Sequence, residues 1–165
     1  MSTGGTPPPV LSPCDWNTPE TYAMPRPLAL AACLMALATP TFSDSTELSD
    51  TGSCPGCDLT KAAFAGQAFV GANLIGATLE DSDFSTTDLF LAQLDEARAD
   101  RINLRNASLK AATFVGASLR DADFRGADLS GARLKDADIT NARFDGAILC
   151  NTVMPDGELS RETCR

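Results

Sequence analysis

A five-residue period runs through most of the chain and limits its fold more than any other feature. From residue 57 to residue 151, 19 consecutive units follow one another without an insertion. The central position is Leu, Phe or Ile in 18 of these units, and Ala99 is the exception. The residue two places before the centre is alanine in 14 units. The five other residues at this alanine position are Cys57, Gln67, Ser82, Thr87 and Ile102.

A period of five matches neither the 3.6-residue helix nor the two-residue strand. It fits a coil with four straight sides, in which the chain turns through a right angle after every unit. The central and alanine-position side chains then point inward, and stacked coils pair their backbones. Four units make a coil of 20 residues, so 19 units predict about 4.75 coils. Seven units carry glycine two residues after the centre, where a tight corner favours positive φ.

The units resemble those of the pentapeptide-repeat family, whose consensus is Ala, then Asp or Asn, then Leu. Ala72-Asn73-Leu74, Ala122-Asp123-Phe124 and Ala127-Asp128-Leu129 follow this pattern. The resemblance covers residues 57–151. It implies an all-β fold, a right-handed quadrilateral parallel β-helix with the central and alanine-position residues filling its interior.

One unit departs from the pattern. Ala99 is small for a central position, and Ile102 is large for the alanine position of the next unit. The two residues either compensate each other in volume on adjoining sides of the coil, or they mark a local bulge.

The first part of the chain has the composition of an export signal. Residues 24–43 contain one positive charge at Arg26, an apolar run of 11 residues and then small residues. That run is too short to cross a membrane, which needs about 20 residues, and it fits a signal peptide cleaved near Ala38 or Ser43. The sequence therefore predicts a periplasmic or secreted protein.

The signal begins at Met24 and not at residue 1. We interpret Met24 as the true start and residues 1–23 as an overextended reading frame, the alternative being a disordered tail before a buried helix. Leu30-Ala31-Ala32-Cys33 resembles a bacterial lipobox, but too few apolar residues precede it for a full signal. Residues 44–56 are interpreted as a linker and N-terminal cap, with the Ser-, Thr- and Asp-rich residues 44–53 disordered.

Cleavage would leave four cysteines, an even number that predicts structural disulfides in an oxidising compartment. Counting back in fives places Cys54 at a central position and Cys57 at an alanine position, both at the N-terminal mouth. A bond between Cys150 and Cys164 would fold residues 152–165 over the C-terminal mouth as a cap.

The sequence Cys54-Pro55-Gly56-Cys57 also permits two other interpretations. A redox motif of this spacing needs a strand and a helix around it, which the repeat does not provide. A four-cysteine zinc site needs four sulfurs together, and the two pairs lie at opposite ends of the repeat.

Composition argues against catalysis. The chain has no histidine, which excludes histidine bases, Ser/His and Cys/His nucleophile systems and histidine metal ligands. Its aspartates recur because the repeat places them before the centre, and a regular ladder is not a tuned carboxylate pair. We expect no enzyme activity, no cofactor and no metal. The net charge of −9 argues against binding to nucleic acid or anionic membranes.

Some apolar residues occupy outward positions. Val70, Ile75, Phe90 and Leu91 lie in the acidic half of the repeat, residues 57–101, which carries a net charge of −5. They form a candidate interaction patch, unless a tail or loop of the chain covers them. Residues 102–151 carry a net charge of +1.

These features favour a non-catalytic exported scaffold that binds a protein partner, with a homodimer left open. The family resemblance implies an alternative, a DNA-mimicking binder of DNA gyrase that protects it from quinolones. That function needs a cytoplasmic protein with a continuous acidic face. The export signal, the near-neutral second half and the stacking of Arg105 beside Arg125 argue against it. A purely structural envelope protein is the third hypothesis.

Overall fold

The computed structural model describes residues 44–164. The described chain begins with an α-helix, continues through the repeat and ends in a two-stranded hairpin. Helix α1 spans Asp44–Thr51, strand β1 spans Thr152–Val153 and strand β2 spans Leu159–Ser160. The two strands are antiparallel, with Thr152 opposite Ser160 and Val153 opposite Leu159. The predicted signal peptide, residues 1–23 and the segment that resembles a lipobox all lie outside the described residues.

The repeat is held together by parallel bridges between residues 20 apart. Seventeen such bridges run from Ser53 and Asn73 up to Arg133 and Val153, each made by the residue before a centre. Around each bridge, the N–H of the central residue donates to a backbone carbonyl of the next coil along the chain. The N–H of the residue before it donates to a backbone carbonyl of the previous coil. Leu74 N, for example, donates to Gln93 O at 2.8 Å. Since the chain turns after every unit, each straight side of a coil contributes only one bridge. A side is therefore too short to form a β-strand.

The corners share one backbone conformation. The residue two places after the centre has positive φ in every unit from residue 56 to residue 151, and twelve of these residues are not glycine. At Gly76, for example, φ is 67° and the N–H of Ala77 donates to Leu74 O at 3.1 Å across the corner. Positive φ at the third residue only is the signature of a type II turn. The positive φ expected at the corner glycines is confirmed.

The central and alanine-position side chains form the interior, here called the shaft. Its central residues are almost all buried, and rings pack between coils, with Phe64 and Phe84 centroids 4.9 Å apart. Two buried polar residues occupy alanine positions, and their hydroxyls donate across the corner. Ser82 Oγ donates to Leu79 O at 2.6 Å, which satisfies a group that would otherwise destabilise a dry interior.

The unit around Ala99 keeps the register of its neighbours. Ala99 and Ile102 are both fully buried. The bridges before and after them, at Arg98 and at Asn103, still join residues 20 apart. The alternative of a local bulge is therefore wrong, and the structure fits compensation of a small central residue by a large one across the corner.

The N-terminal end corrects one expectation. Residues 44–53 were expected to be a disordered linker, but Asp44–Thr51 form helix α1. Leu48 of this helix is fully buried and belongs to the same apolar cluster as the shaft. The open end of a solenoid exposes apolar interior, and covering it stabilises a segment whose own helix propensity is weak.

The C-terminal end is covered unevenly. Val153 continues the bridge register, and Met154 packs against the shaft. Ile139 and Phe144, on two other sides, are only half-buried. Within residues 44–164 the backbone N–H groups of Ile139 and Phe144 have no backbone acceptor. The hairpin therefore caps one side of the last coil and leaves two sides with open edges.

Candidate functional site

Three of the four predicted patch residues lie on one corner of the solenoid. Val70 and Phe90 occupy the same corner position in successive coils, and Leu91 follows Phe90. The coils are joined beneath them by Gly71 N, which donates to Phe90 O at 2.7 Å. The exposed fractions are 57% for Val70, 40% for Phe90 and 50% for Leu91, so no described segment of the chain covers this corner.

Ile75, the fourth predicted residue, lies on the next corner, beyond the side formed by residues 72–74. Its side chain is 37% exposed. Val115, two coils farther along the Ile75 corner, is half-buried, and its N–H donates to the carboxylate of Asp95 at 2.8 Å. We call Val70, Ile75, Phe90 and Leu91 the apolar patch, with Ile75 at its edge.

The patch is held in place by the backbone of its turn. Asp88 Oδ1 accepts a hydrogen bond from Phe90 N at 3.1 Å, an Asx turn that fixes the start of the corner. Asn73 Oδ1 does the same for Ile75 N at 3.2 Å. The outward apolar side chains therefore project from rigid corners.

Leu91 has an unfavourable conformation for its residue type. Its φ is 59°, in the left-handed region, where the corresponding corner residue one coil below is Gly71. A bulky residue in this region costs about 1–2 kcal/mol relative to the ordinary conformation. Leu91 is also half exposed, so burial does not offset this cost. Eleven other non-glycine residues at this corner position share this positive φ, so what distinguishes Leu91 is its large apolar side chain, which is exposed beside Phe90.

The acids beside the patch have no basic partner among the described residues. Within residues 44–164 there are six ion pairs, and none of them involves Asp88, Asp95 or Glu96. Asp88 and Asp95 instead accept backbone hydrogen bonds, and Glu96 is exposed. The apolar patch is therefore bordered by carboxylates that no basic side chain of the described chain neutralises.

Elsewhere on the solenoid, acids and bases of neighbouring coils bind each other. Arg98 binds Glu80, and Arg120 binds Asp138, at 2.7 and 2.8 Å. Arg125 binds Asp123 within its own unit, and this contact holds the pKa of Asp123 below its usual range. These pairs interrupt the acidic ladders that the sequence shows.

The four cysteines within residues 44–164 form two disulfides, one at each end of the repeat. Cys54 and Cys57 are bonded at the N-terminal mouth, with Cα atoms 5.5 Å apart. Cys150 and Cys164 are bonded at the other end, with Cα atoms 4.7 Å apart. Thr163 Oγ1 accepts a hydrogen bond from Leu149 N at 2.9 Å, so this disulfide keeps the tail against the last unit.

Sequence reasoning did not identify two further exposed apolar residues. Ile148 is 38% exposed and Leu159 is 48% exposed, both near the C-terminal end. Ile148 occupies a position before a centre, where the repeat is otherwise mostly polar, so a signal was present. Leu159 lies in the hairpin after the repeat, where no period marks the outward positions.

The chain belongs to the pentapeptide repeat family. The family model for pentapeptide repeats matches residues 57–90, 87–126 and 117–154, with eight copies. This confirms the resemblance found in the sequence. No curated protein matches the chain significantly.

Solved structures of the family resemble the chain at low identity. A pentapeptide repeat protein (Rfr23) from the cyanobacterium Cyanothece 51142 is 23% identical, covers 67% of this chain and 97% of its own, with a TM-score of 0.33. A pentapeptide repeat protein from the Arabidopsis thaliana thylakoid lumen is 19% identical. The match covers 76% of this chain and 79% of that protein, with a TM-score of 0.32. QnrB1, a plasmid-mediated fluoroquinolone resistance protein, is 20% identical. The match covers 55% of this chain and 59% of QnrB1, with a TM-score of 0.30. These values carry no conclusion about function.

In the part of the chain that the structure describes, no helix is both long and apolar enough to cross a membrane.

Proposed function

We propose that this protein is a non-catalytic, exported scaffold that binds another protein through the apolar patch. The observation that carries the proposal is the pair of exposed apolar side chains, Phe90 and Leu91, on one corner fixed by the Asx turn of Asp88. An aromatic anchor with aliphatic neighbours and a polar border is the composition of an interface centre.

The border defines the partner's chemistry. Asp88, Asp95 and Glu96 have no basic partner among residues 44–164, and the surrounding half of the repeat is negatively charged. Complementary charge speeds association and excludes wrong partners. The proposed partner is a protein whose contact surface is apolar at its centre and basic at its edge, and it is not a nucleic acid.

Export is part of the proposal. The signal-like residues 24–43 and the even number of remaining cysteines support a periplasmic or secreted location. For the scaffold itself we propose a right-handed quadrilateral solenoid of about 4.75 coils, supported by the 20-residue spacing of its bridges and its family membership.

The gyrase-binding alternative has weaker support. It requires a continuous acidic face, whereas basic side chains of neighbouring coils bind acids on the described surface, as Arg98 binds Glu80 and Arg120 binds Asp138. Fluoroquinolone resistance is a property of QnrB1. Cell fractionation with N-terminal sequencing separates the hypotheses, because a periplasmic product starting near residue 39 or 44 cannot meet gyrase.

The test of the scaffold compares two outward substitutions. Phe90→Ser should leave the melting temperature nearly unchanged and remove a cross-linked or co-purified partner from a periplasmic extract. Ile148→Ser is the matched control, because Ile148 has a similar exposure, 38% against 40%, at the other end of the repeat. If both variants keep the partner, the contact lies outside the apolar patch, and if no partner is captured by the parent, the purely structural envelope protein becomes the better hypothesis.

Self-association is measured in the same experiment by light scattering coupled to size exclusion. A parent dimer that becomes monomeric in Phe90→Ser identifies a second copy as the occupant of the patch. A dimer that persists in this variant has its interface elsewhere.

A further inference from the structure

Helix α1 brings a carboxylate to the cysteine pair at the N-terminal mouth. The ligand atoms of Glu47, Cys54 and Cys57 all lie within 4.8 Å of one another. Glu47 is exposed, Cys57 is half-buried and Cys54 is fully buried. In the structure the two sulfurs are bonded to each other. We propose that, when this disulfide is reduced, the three side chains bind a thiophilic divalent cation of the zinc class.

The residue types and their spacing fit such a cation. Two cysteines separated by two residues are a usual half of a zinc site, and carboxylate oxygen is an accepted third ligand. Three protein ligands leave the fourth position of a tetrahedral ion to water. Within residues 44–164 this is the one cluster of three or more potential ligands whose atoms come this close.

Glu47 favours the metal-bound form of the reduced cysteine pair. Thiol exchange and metal binding both use the thiolate. A divalent cation placed among two thiolates and the Glu47 carboxylate offsets their mutual repulsion, which is uncompensated without the metal. Glu47 therefore adds both a ligand and a negative charge to a metal site.

The disulfide form converts to the metal-bound form in two steps, reduction and then metal binding. The disulfide accepts two electrons and two protons from a dithiol, which is itself oxidised to a disulfide, and Cys54 and Cys57 become thiols. Metal binding then releases two thiol protons, forms two sulfur–metal bonds and adds the Glu47 carboxylate. Binding is therefore weaker at low pH.

The two forms differ in what they connect. The disulfide joins residues separated by three positions and does not reach helix α1. A metal held by Glu47 would link α1 to the first unit, next to the buried Leu48. Metal binding should therefore stabilise the N-terminal cap in the reduced protein.

The experiment uses the full chain with Cys14→Ser and Cys33→Ser, reduced with a phosphine that does not bind the metal. Co²⁺ is the spectroscopic probe, and Zn²⁺ competes for the site. We expect about one equivalent of Co²⁺ with a thiolate charge-transfer band, and a higher melting temperature on adding Zn²⁺. The oxidised protein should show neither effect.

Variants assign the ligands. Glu47→Gln should weaken the affinity by about tenfold or more, and Cys57→Ser should remove the band. The matched control is Cys150→Ser with Cys164→Ser, which removes the other pair and should leave the spectrum unchanged. The proposal is overturned if the reduced parent binds no Co²⁺, if Glu47→Gln binds as tightly as the parent, or if the control loses the band. None of these outcomes bears on partner binding at the apolar patch.

Discussion

Arg101 lies one coil above Asp81 and binds both oxygens of its carboxylate. The Nε–Oδ1 distance is 2.7 Å and the Nη2–Oδ2 distance is 2.9 Å. This contact holds the pKa of the Asp81 carboxyl below its usual range and raises the pKa of Arg101. The side chains are 52% and 36% exposed for Arg101 and Asp81, so solvent screening keeps the contribution to stability small.

Several such aspartates together predict an acid-sensitive fold. The pKa values of Asp81, Asp123 and Asp138 are lowered, by contacts with Arg101, Arg125 and Thr140 respectively. A carboxyl with a lowered folded pKa stabilises the fold above its unfolded pKa of about 3.9. That stabilisation is lost as the pH falls through the folded pKa.

We therefore expect melting temperatures that change little from about pH 5 to 7 and fall below about pH 4. Melts followed by circular dichroism measure this, and Asp81→Asn should show a slightly shallower fall than the parent. A melting temperature that rises on acidification would contradict the role given to these carboxylates.

The second prediction concerns volume compensation across one corner. Ala99→Leu should overpack the shaft, at a cost of about 1–3 kcal/mol, because Ile102 already fills the neighbouring alanine position. Ile102→Ala should leave a cavity, at a cost of about 2–5 kcal/mol. The double variant restores the usual pattern of the repeat. Its loss in the free energy of unfolding, measured with urea, should be smaller than the sum of the losses in the two single variants. Additive losses would show that the two side chains do not share a volume.

The same corner shows how far sequence reasoning reaches. The period predicts the coil, its 20-residue spacing and its inward residues, because every unit repeats the same local constraint. It leaves two explanations open at Ala99 and Ile102, since both a bulge and a volume exchange break the pattern in the same way. Only the unbroken bridges at Arg98 and Asn103 distinguish them.

Outside the repeat, prediction fails for a physical reason. Helix α1 has one buried apolar residue, Leu48, in a polar segment, so no hydrophobic period marks it. Its order depends on the open shaft beneath it. The patch is an intermediate case, because the period predicts that Phe90 and Leu91 point outward. Whether a terminus covers them is a tertiary property.

The third prediction tests the inward and outward assignment directly. Leu109→Asp places an unpaired charge in a fully buried position and should prevent folding. Gln93→Asp is the control, because Gln93 is exposed and its bridge neighbours Asn73 and Thr113 are uncharged. Circular dichroism should show a native melt for the control and no cooperative transition for Leu109→Asp. Matching melts would remove the assignment of Leu109 to the shaft.

The fourth prediction separates stability from binding at the patch. Leu91→Gly relieves an unfavourable φ of 59° at a half-exposed residue, so it should stabilise the fold or leave it unchanged, by up to about 1 kcal/mol. The same change removes an apolar contact and should weaken partner capture. Ala111→Gly, one coil above at a φ of 55°, is the control that changes the backbone alone. A marked loss of stability in Leu91→Gly would mean that Leu91 is packed against the protein's own chain.

The fifth prediction distinguishes the two disulfides by the length of chain that each one closes. Cys150 and Cys164 are 14 residues apart, and closing a loop of this length stabilises a fold by about 3 kcal/mol. Cys54 and Cys57 are only three residues apart, so their bond constrains the unfolded chain much less. Cys164→Ser should therefore lower the free energy of unfolding by about 2–4 kcal/mol, and Cys57→Ser by clearly less.

Urea unfolding of the purified exported protein measures both losses, and thiol titration of the native parent should find no free thiol. In Cys164→Ser the tail is also released from Leu149, whose N–H loses Thr163 Oγ1 as its acceptor. Proteolysis should then cleave the chain after residue 151 while the repeat stays protected, because the bridges between residues 53 and 148 do not depend on this disulfide. Two titratable thiols in the native parent would point to redox or metal chemistry instead, and equal losses in the two variants would show that the bond at the C-terminal end does not hold the cap.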